Sequence, residues 1–422
     1  MPGPWGNVVD SMISVDEARR YILEQISPLP AEDVFIMDGL DRVLAEDVFA
    51  PERVPPFDNS AMDGFAVRAE DTVGAASNSP VSLRLAGAIA AGEAASVTVS
   101  PGTAIRIMTG APVPPGADAV IRFEDTDEGE QGSPAQNTVR LFRPVSSEDN
   151  VRRAGEDIRA GQKVLPAGTV LRPQEIGVLA SLGRARVRVH RRPRVAVLAT
   201  GDELVGLDDP VGPGQIRNSN EYSNAALVAR CGGVPIRLGI ARDNVEHLTA
   251  KIREGLNQNV DLFLTSAGVS VGDYDVVKDV LAAEGQMHFW QVRIKPGKPL
   301  AFGHISGVPV IGLPGNPVAS IVAFEVFARP AILRMAGHQR LDKPRLNAAL
   351  EEDVYNSGRR HYMRSLVTCR NGQHHVTTRG SGVTVQGSGI LSSLVWANAL
   401  LIVPEDVTLI PAGSTVEVEM LG

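Results

Sequence analysis

The feature that most constrains the fold is a series of short apolar runs, each followed by a small or polar loop, between Arg194 and about Gly337. Patterns typical of helices separate these runs, near residues 219–231, 244–256, 275–284 and 318–329. Strands that alternate with helices in this way predict a parallel, doubly wound sheet with helices on both faces. The third run, 262–265, is short, apolar and bounded by small residues, as expected for a strand covered on both sides. The four predicted strands are 194–198, 235–240, 262–265 and 308–313.

Loops that suit an anion follow two of these strands, and the strands of an open parallel sheet end at one shared edge where ligands bind. After the third strand, small side chains leave backbone N–H groups open to an anion at Ser266, Gly268 and Ser270. After the fourth strand, a helix is predicted to begin with an N-cap asparagine and a first-turn proline, whose free N–H groups suit a phosphate. This second loop consists of Pro314, Gly315, Asn316 and Pro317.

Carboxylates and lysines complete the predicted site. Glu203 follows the first strand, Asp243 the second and Asp275 the third, and these hard oxygen donors could hold Mg²⁺. For any one of the three acids, a role as a helix cap is an equally good interpretation. Lys295 and Lys298 lie in a segment with three positive charges, just before the last strand. No dinucleotide or P-loop glycine motif follows any strand, so ordinary nucleotide-binding folds have no support.

The segments around this domain have different patterns. Residues 14–17 match a capping box and start a helix of about three turns, followed by a strand and a short helix up to Ala50. Residues 51–150 are rich in Gly, Pro and Ala and contain short alternating runs, which are typical of a small β domain. From about residue 340 onward, alternating runs and an Asn371-Gly372 turn predict a β barrel or sandwich.

Polar residues in and beside the small β domain are harder to interpret. Asp63 lies in a loop with a second aspartate, where Asx turns are the simpler explanation. Thr109 lies beside a glycine in another turn. Asp157 could act as an acid beside Arg152 and Arg153, which could hold an anion or pair with Glu156 on the surface. The acidic run 124–130 lacks regular ligand spacing and predicts a solvated hairpin tip.

Composition excludes several classes of partner. A net charge of −8 argues against nucleic acid and anionic membranes, so any anion site must be a local basic cluster. The two cysteines lie far apart and outside any CxxC, which argues against disulfide and thiolate zinc frameworks and favours a reducing compartment. The N-terminal segment does not have the pattern of a secretory signal. The most apolar window, 308–333, contains three prolines and charged residues, so it is not predicted to span a membrane.

Seven motifs, in this order, resemble the molybdopterin molybdenumtransferase family of MoeA and the gephyrin E domain. They are FDNSAMDGFAV (57–67), RIMTGAPVP (106–114), NVRRAGEDI (150–158), ATGDEL (199–204), TSAGVSVGDYD (265–275), IKPGKP (294–299) and GLPGNPVAS (312–320). The resemblance implies a multidomain α/β plus all-β fold whose doubly wound parallel-sheet domain (193–337) binds molybdopterin. It also implies a linking α+β domain (12–50 and 151–192), an inserted small β domain (51–150) and a C-terminal β barrel (340–422).

The resemblance also implies a reaction, the Mg²⁺-dependent insertion of molybdate into adenylylated molybdopterin with release of AMP, in a cytoplasmic homodimer. One copy is implied to contribute Asp63, Thr109 and Asp157. The other is implied to contribute Glu203, Asp243, Asp275, Lys295, Lys298, Pro314 and Pro317. By a looser match, Arg364 and Ser388 are implied to line the oxyanion site. Further implied partners are the adenylylating enzyme and cofactor-accepting proteins, with no nucleic acid and no membrane.

Two other functions stay open at this point. The first is adenylyl transfer onto molybdopterin, because the adenylylating enzyme shares the α/β domain type; the inserted β domain and the barrel disfavour it. The second is a non-catalytic scaffold like gephyrin. The sequence also departs from the family pattern at Ala267, which stands where a second glycine is usual. We therefore expect a backbone conformation at this position that an alanine tolerates.

Overall fold

The computed structural model describes residues 12–93, 96–128, 137–267, 285–380 and 384–421. These residues form two compact units. The first runs to Ala45 and also includes Gly168–Arg172 and the chain from Val187 onward, and the second comprises Glu46–Ala167 and Pro173–Arg186. The predicted domain boundaries stay predictions. No helix in the described ranges is long and apolar enough to cross a membrane.

The chain of the first unit begins with helix α1 (Val15–Glu24), which confirms the predicted capping box. The Ser14 hydroxyl accepts from the N–H of Glu17 at 3.1 Å, and the Glu17 carboxylate accepts from the N–H of Ser14 at 2.8 Å. One face of the helix is buried in the core of the α/β domain. Strand β1 (Ala31–Phe35) and a 3₁₀ turn follow, as predicted.

The second unit contains the predicted small β sheet. Its elements are β2 (Val48–Phe49), β3 (Asn59–Ser60), β4 (Gly64–Val67), β5 (Val81–Ile89), β6 (Thr103–Ile107), β7 (Ala119–Arg122), β8 (Thr138–Leu141), β9 (Val151–Arg152), β10 (Lys163–Leu165) and α2 (Pro173–Ser181). Five strands pair in the order β7-β4-β6-β5-β8. Their inward residues, such as Phe65 and Ile121, are fully buried. Pairing of β4 with β6 brings the loop before β4 close to the loop after β6.

The α/β domain of the first unit has the predicted alternation of strands and helices. Its elements are β11 (Arg186–His190), β12 (Arg194–Thr200), β13 (Leu204–Val205), β14 (Ile216–Arg217), α3 (Ser219–Arg230), β15 (Val234–Ala241), α4 (Val245–Asn257), β16 (Leu262–Ser266), β17 (Gly285–Gln291), β18 (Ile294–Lys295), β19 (Pro299–Ile305), β20 (Val308–Leu313), α5 (Pro317–Ala323) and α6 (Arg329–Met335). A π-helical turn, Phe324–Ala328, joins α5 to α6.

The six-stranded sheet of this domain has the order β15-β12-β16-β20-β19-β17. The four predicted strands, β12, β15, β16 and β20, pair in parallel. Strands β19 and β17 add an antiparallel edge that the sequence pattern missed. Alternate residues of β12 enter different cores: Val195 and Val197 pack towards α1 and α3, and Ala196 and Leu198 pack towards α4. Both faces of the sheet are therefore covered, which confirms the doubly wound prediction.

The C-terminal segment forms a barrel, which decides between the barrel and the sandwich. Its elements are β21 (Arg345–Leu350), β22 (Val354–Tyr355), β23 (Arg360–Arg370), β24 (Gln373–Thr377), α7 (Ser392–Trp396), β25 (Ala399–Val403), β26 (Leu409–Ile410) and β27 (Thr415–Met420). Strands β23, β24, β21, β27 and β25 pair in a ring that the β23–β25 ladder closes. The predicted Asn371-Gly372 turn joins β23 to β24 with φ values of 51° and 77°. Strand β18 pairs in parallel with β23 and so joins the barrel to the sheet.

Candidate functional site

A cavity of about 570 Å³ lies at the carboxyl ends of the parallel strands, where the sequence predicts a ligand site. It is large enough for a small organic ligand. Seven predicted site residues line it: Glu203, Ser266, Lys298, Pro314, Gly315, Asn316 and Pro317. The wall also contains polar residues that the sequence analysis missed, from the β14–α3 junction: Arg217, Asn218, Ser219 and Asn220.

The loop after β12 positions Glu203 at the cavity wall. Gly201 has a φ of 146°, and the space that its side chain would fill is occupied by the Glu203 carboxylate. Only glycine allows this close approach without strain. The guanidinium of Arg242 donates to the backbone oxygens of Asp202 at 3.0 Å and Leu204 at 3.2 Å. These bonds hold the loop after β15 against the loop after β12.

Asp243 lies in this second loop and is crowded by other carboxylates. Its N–H donates to Asp202 Oδ1 at 3.2 Å. Burial raises the pKa of Asp243, and the negative charges of Asp202 and Glu203 raise it further. Hard oxygen donors that repel each other in this way fit a divalent cation, which would neutralise them. Asp243 does not line the cavity itself.

The third predicted metal ligand, Asp275, lies outside the described residues, as do Gly268 and Ser270. Within the described ranges, no group of three carboxylates, histidines or cysteines is arranged to hold a metal ion. The predicted ligand set therefore stays a prediction. The observations that fit it are the crowding at Asp243 and the position of Glu203 on the wall.

Ala267 begins the loop after β16, and its backbone contradicts the expectation from the sequence. Its φ is 74°, in the left-handed region that alanine disfavours by about 1–2 kcal/mol. The expectation of a conformation suited to alanine is therefore wrong. The neighbouring glycine provides the space for the methyl group, since a Cβ on Gly315 would lie 3.1 Å from the Ala267 Cβ. The Ala267 N–H donates to the oxygen of Leu313 at 3.1 Å.

Other segments of the protein form hydrogen bonds at the start of helix α5. Asn316 lies at the N-cap, as predicted, but its side chain makes no capping bond. The N–H of Val318, which we expected to be free, donates to the backbone oxygen of Ser388 at 3.1 Å because the loop after β24 lies there. From the other side, Asn220 Nδ2 donates to the oxygen of Gly315 at 2.7 Å. The predicted phosphate site at this helix therefore has fewer free donors than the sequence indicated.

The two predicted lysines lie on either side of a short turn. Lys298 is exposed and lines the cavity. Lys295 is half-buried in β18, opposite His361 of β23. Neither lysine forms an ion pair within the part of the chain that the structure describes. Both remain available to an anion.

Arg364 is fully buried in β23 and has no carboxylate partner among the described residues. Nε donates to Ser393 Oγ at 3.0 Å, Nη2 donates to the oxygens of Val385 at 2.9 Å and Gly387 at 3.0 Å, and Nη1 has no partner there. Burial lowers the pKa of Arg364 to about 10. A buried guanidinium without a counter-ion is costly, so this position favours an anion nearby. The loop that Arg364 holds contains Ser388, so the structure brings these two residues together.

In the second unit the structure brings Asp63 and Thr109 together. Asp63 Oδ1 accepts from the Thr109 N–H at 2.7 Å and from its hydroxyl at 2.8 Å, and these bonds lower the pKa of Asp63. Both residues are exposed, as is Asp157. The Arg153 guanidinium forms ion pairs at the surface, but with Asp58 and Glu148 instead of the predicted Glu156, whose carboxylate accepts from the Arg153 backbone N–H at 3.0 Å.

One residue of the acidic run overturns its interpretation as a solvated tip. Glu128 is buried, and its carboxylate lies 3.2 Å from the guanidinium of Arg106. Arg106 also stacks over the ring of Phe123, with its guanidinium carbon 4.9 Å from the ring centre. Within the described part of the run, Glu124 is exposed, but Glu128 packs into this β domain instead of extending into solvent.

Comparison with known proteins covers nearly the whole chain. Family profiles match the MoeA N-terminal region (domain I and II) at residues 13–183, a probable molybdopterin binding domain at 196–334 and the MoeA C-terminal region (domain IV) at 347–421. The chain is 38% identical to molybdopterin molybdenumtransferase 2 of Mycobacterium tuberculosis (strain ATCC 25618 / H37Rv) over 414 residues, which cover 96% of this chain and 99% of the relative.

Two further relatives extend this likeness. The molybdopterin molybdenumtransferase of Haemophilus influenzae is 36% identical over 411 residues, covering 97% of this chain and 98% of the relative. The crystal structure of the molybdopterin biosynthesis moeA protein from Pyrococcus horikoshii OT3 matches with a TM-score of 0.80 and 31% identity, covering 97% of this chain and all of that one. By this full-length similarity the chain belongs to the molybdopterin molybdenumtransferase family, and it is a transferase of molybdenum cofactor biosynthesis.

Proposed function

We propose that the chain inserts molybdate into adenylylated molybdopterin in a Mg²⁺-dependent reaction that releases AMP. The observation that carries this proposal is the cavity at the strand ends, where Glu203, Lys298 and the start of α5 converge. The substrates are all anionic, and the protein has a net charge of −8, so a local cationic site is required. Lys298, Lys295 and Arg364 supply three cations without carboxylate partners among the described residues.

In this proposal the two groups of cations bind different anions. Lys298 and the backbone N–H groups of the cavity hold the phosphates, as helix starts and lysines do elsewhere. Lys295 and Arg364 hold molybdate beside the barrel, with Ser388 in the loop that Arg364 fixes. A tetrahedral dianion there would balance two charges that the fold leaves uncompensated.

Magnesium fits the carboxylates of the site. Glu203, Asp243 and Asp275 would hold the ion, with Glu203 orienting it or a water molecule. When bound, Mg²⁺ neutralises charge on the phosphates and so assists cleavage of the P–O–P linkage. The protein would hold these carboxylates in place, and the hydrogen bonds from Arg242 to the backbone of the loop after β12 support this role.

We further propose that the protein acts as a cytoplasmic homodimer, as the family resemblance implies. The small β domain of one copy would present Asp63, Thr109 and Asp157 to the cavity of the other. The adenylylating enzyme and cofactor-accepting proteins belong to the same proposal as partners. A rigidly held carboxylate at Asp63 supports this arrangement, because Thr109 fixes one oxygen and leaves the other to a ligand.

The test is to mix the protein with adenylylated molybdopterin, Mg²⁺ and molybdate and to measure AMP. Release of AMP that requires molybdate supports insertion. Consumption of ATP with molybdopterin would instead support adenylyl transfer, and the absence of both activities would support a scaffold. Asp63→Asn should leave ligand binding intact and slow AMP release, and unchanged turnover would remove Asp63 from the mechanism.

A further inference from the structure

His361 of strand β23 is a buried polar side chain without hydrogen-bond partners. It is 3% exposed, and both ring nitrogens, Nδ1 and Nε2, are buried and unpaired within the described part of the chain. Buried polar atoms are nearly always paired in folded proteins, because leaving them unpaired is unfavourable. The position of His361 therefore points to a missing binding partner.

The charged groups that act on His361 are cations of β18 and of the segment around β23, while the third strand at this position, β25, places the apolar Val403 opposite it. Lys295 lies opposite it in the β18–β23 ladder and Arg359 immediately precedes β23. Arg364 follows three residues later on the same strand, so its side chain leaves the other face of β23. Arg360, between them, is already balanced by Asp16 and Glu405. Burial and the three unbalanced cations lower the pKa of His361 to about 3, so the ring is neutral at pH 7.

A bound dianion would favour the protonated form of His361. Bound at Lys295, which is the register partner of His361 and shares its face of the sheet, the dianion would neutralise this lysine and so remove the largest charge repulsion that keeps the proton off His361. It would also give an imidazole N–H a strong acceptor. A charged imidazolium would then be stabilised by the anion and disfavoured by its burial and by the guanidinium groups of Arg359 and Arg364. Proton binding and anion binding at this cluster are therefore linked.

We propose that His361 is a proton-accepting member of the oxyanion site, so that molybdate binds together with a proton. This inference rests on the proposed function, because it assigns molybdate to Lys295, beside His361. Exchange of one oxo group of molybdate for two thiolates releases that oxo group as water and consumes two protons. A proton taken up with the oxyanion lies where this step needs one.

The experiment is calorimetry of molybdate alone with the full chain, in two buffers of different ionisation enthalpy that are not themselves oxyanions. Between about pH 6 and 7.5, the wild type should take up a fraction of a proton and bind more tightly as the pH falls, by up to about tenfold per pH unit. His361→Gln keeps a polar amide but cannot become charged. It should bind with no linked proton and with an affinity that is independent of pH.

A matched control is His375→Gln, since His375 lies on the neighbouring barrel strand β24 and should behave as the wild type. NMR of ¹⁵N-labelled histidine in the wild type reports the protonation of His361 directly, with and without molybdate, even where the variant fails to fold. Equal proton uptake in the wild type and His361→Gln, or a neutral ring in the complex, overturns the inference. So does molybdate-dependent AMP release without any molybdate binding at this cluster, and in that case the proposed function still stands.

Discussion

Thr109 donates two hydrogen bonds to the same oxygen of Asp63, one from its backbone N–H at 2.7 Å and one from its hydroxyl at 2.8 Å. The two residues lie 46 positions apart in separate sequence motifs. Pairing of β4 with β6 brings the two loops together. Asp63 is therefore held in one orientation although it is exposed, and the simpler Asx-turn explanation does not account for it.

Thr109→Val should raise the pKa of Asp63 towards its ordinary value, because the variant keeps the N–H donor and loses the hydroxyl. The pKa of Asp63 is lowered in the folded protein, so the ionised group stabilises the fold above its unfolded pKa. This stabilisation is lost as the pH falls through the folded pKa. NMR titration of the Asp63 carboxyl carbon measures the shift. Thr109→Ser retains the hydroxyl and serves as the control, and an equal pKa in all three proteins would contradict the prediction.

Ala267→Gly should leave the free energy of unfolding unchanged or raise it by up to about 1 kcal/mol. The variant removes the strain of an alanine at positive φ, which stabilises the fold. Glycine also has greater conformational freedom in the unfolded chain, and this offsets part of the gain. Ala226→Gly, at an exposed position in α3, should instead cost about 1 kcal/mol. Urea denaturation compares the variants.

Gly315→Ala should destabilise the wild type, because its methyl group would lie 3.1 Å from the Ala267 Cβ. The same substitution should cost less in the Ala267→Gly background, where that contact is absent. A double-mutant cycle in urea isolates this coupling. Additive effects would show that the two residues do not share the space.

Arg360→Gln should lower the free energy of unfolding by about 1–2 kcal/mol, because Arg360 joins α1 to the barrel. Its guanidinium donates to both oxygens of Asp16 at 2.7 and 2.8 Å and to Glu405 at 2.9 Å. Hydrogen bonding to Arg360 lowers the pKa of Asp16, so its contribution disappears as the pH falls below about 4. Arg370→Gln, in an exposed pair with Glu351, should cost less than about 0.5 kcal/mol. Equal losses would contradict the prediction.

Glu203→Gln should weaken binding of Mn²⁺, used as a paramagnetic substitute for Mg²⁺, by at least about tenfold, because a carboxylate ligand is lost. Asp208→Asn removes an exposed carboxylate from the next loop and should leave the affinity unchanged. Electron paramagnetic resonance titration of the two variants and the wild type gives the affinities. Similar affinities in all three would place the ion away from Glu203.

The strands with a strong local pattern were predictable from the sequence. The central parallel strands, such as β12 and β16, are apolar because both their faces are buried, and the Asn371-Gly372 turn follows from residues that tolerate positive φ. Strands β17 and β19 were missed. The pattern of β17, Gly285–Gln291, mixes polar and aromatic residues, since it is an edge strand whose packing against Tyr21 is decided by distant parts of the chain.

Site residues were predictable where a polar or small residue directly follows a strand of the parallel sheet. Glu203, Lys298 and Ser266 line the cavity because each follows a strand of the same sheet. Asn220 was missed, although its position at the start of α3 after a strand was a usable signal. His361 and the free donor of Arg364 had no signal in the sequence, because their burial depends on the barrel that closes around them.

The first unit is built from separate stretches of the chain, so the parts of its core are synthesised at different times. Val15 and Ile22 of α1 pack into a core with Phe327 and Met335, and the N–H of Leu29 donates to the oxygen of Met335 at 2.8 Å. A ribosome adds about 5–20 residues per second, so the apolar face of α1 waits roughly 15–60 s before these partners emerge. The nascent helix is exposed to chaperones during this interval. The strands of the second unit, in contrast, are all made before the ribosome reaches β12, the first strand of the six-stranded sheet.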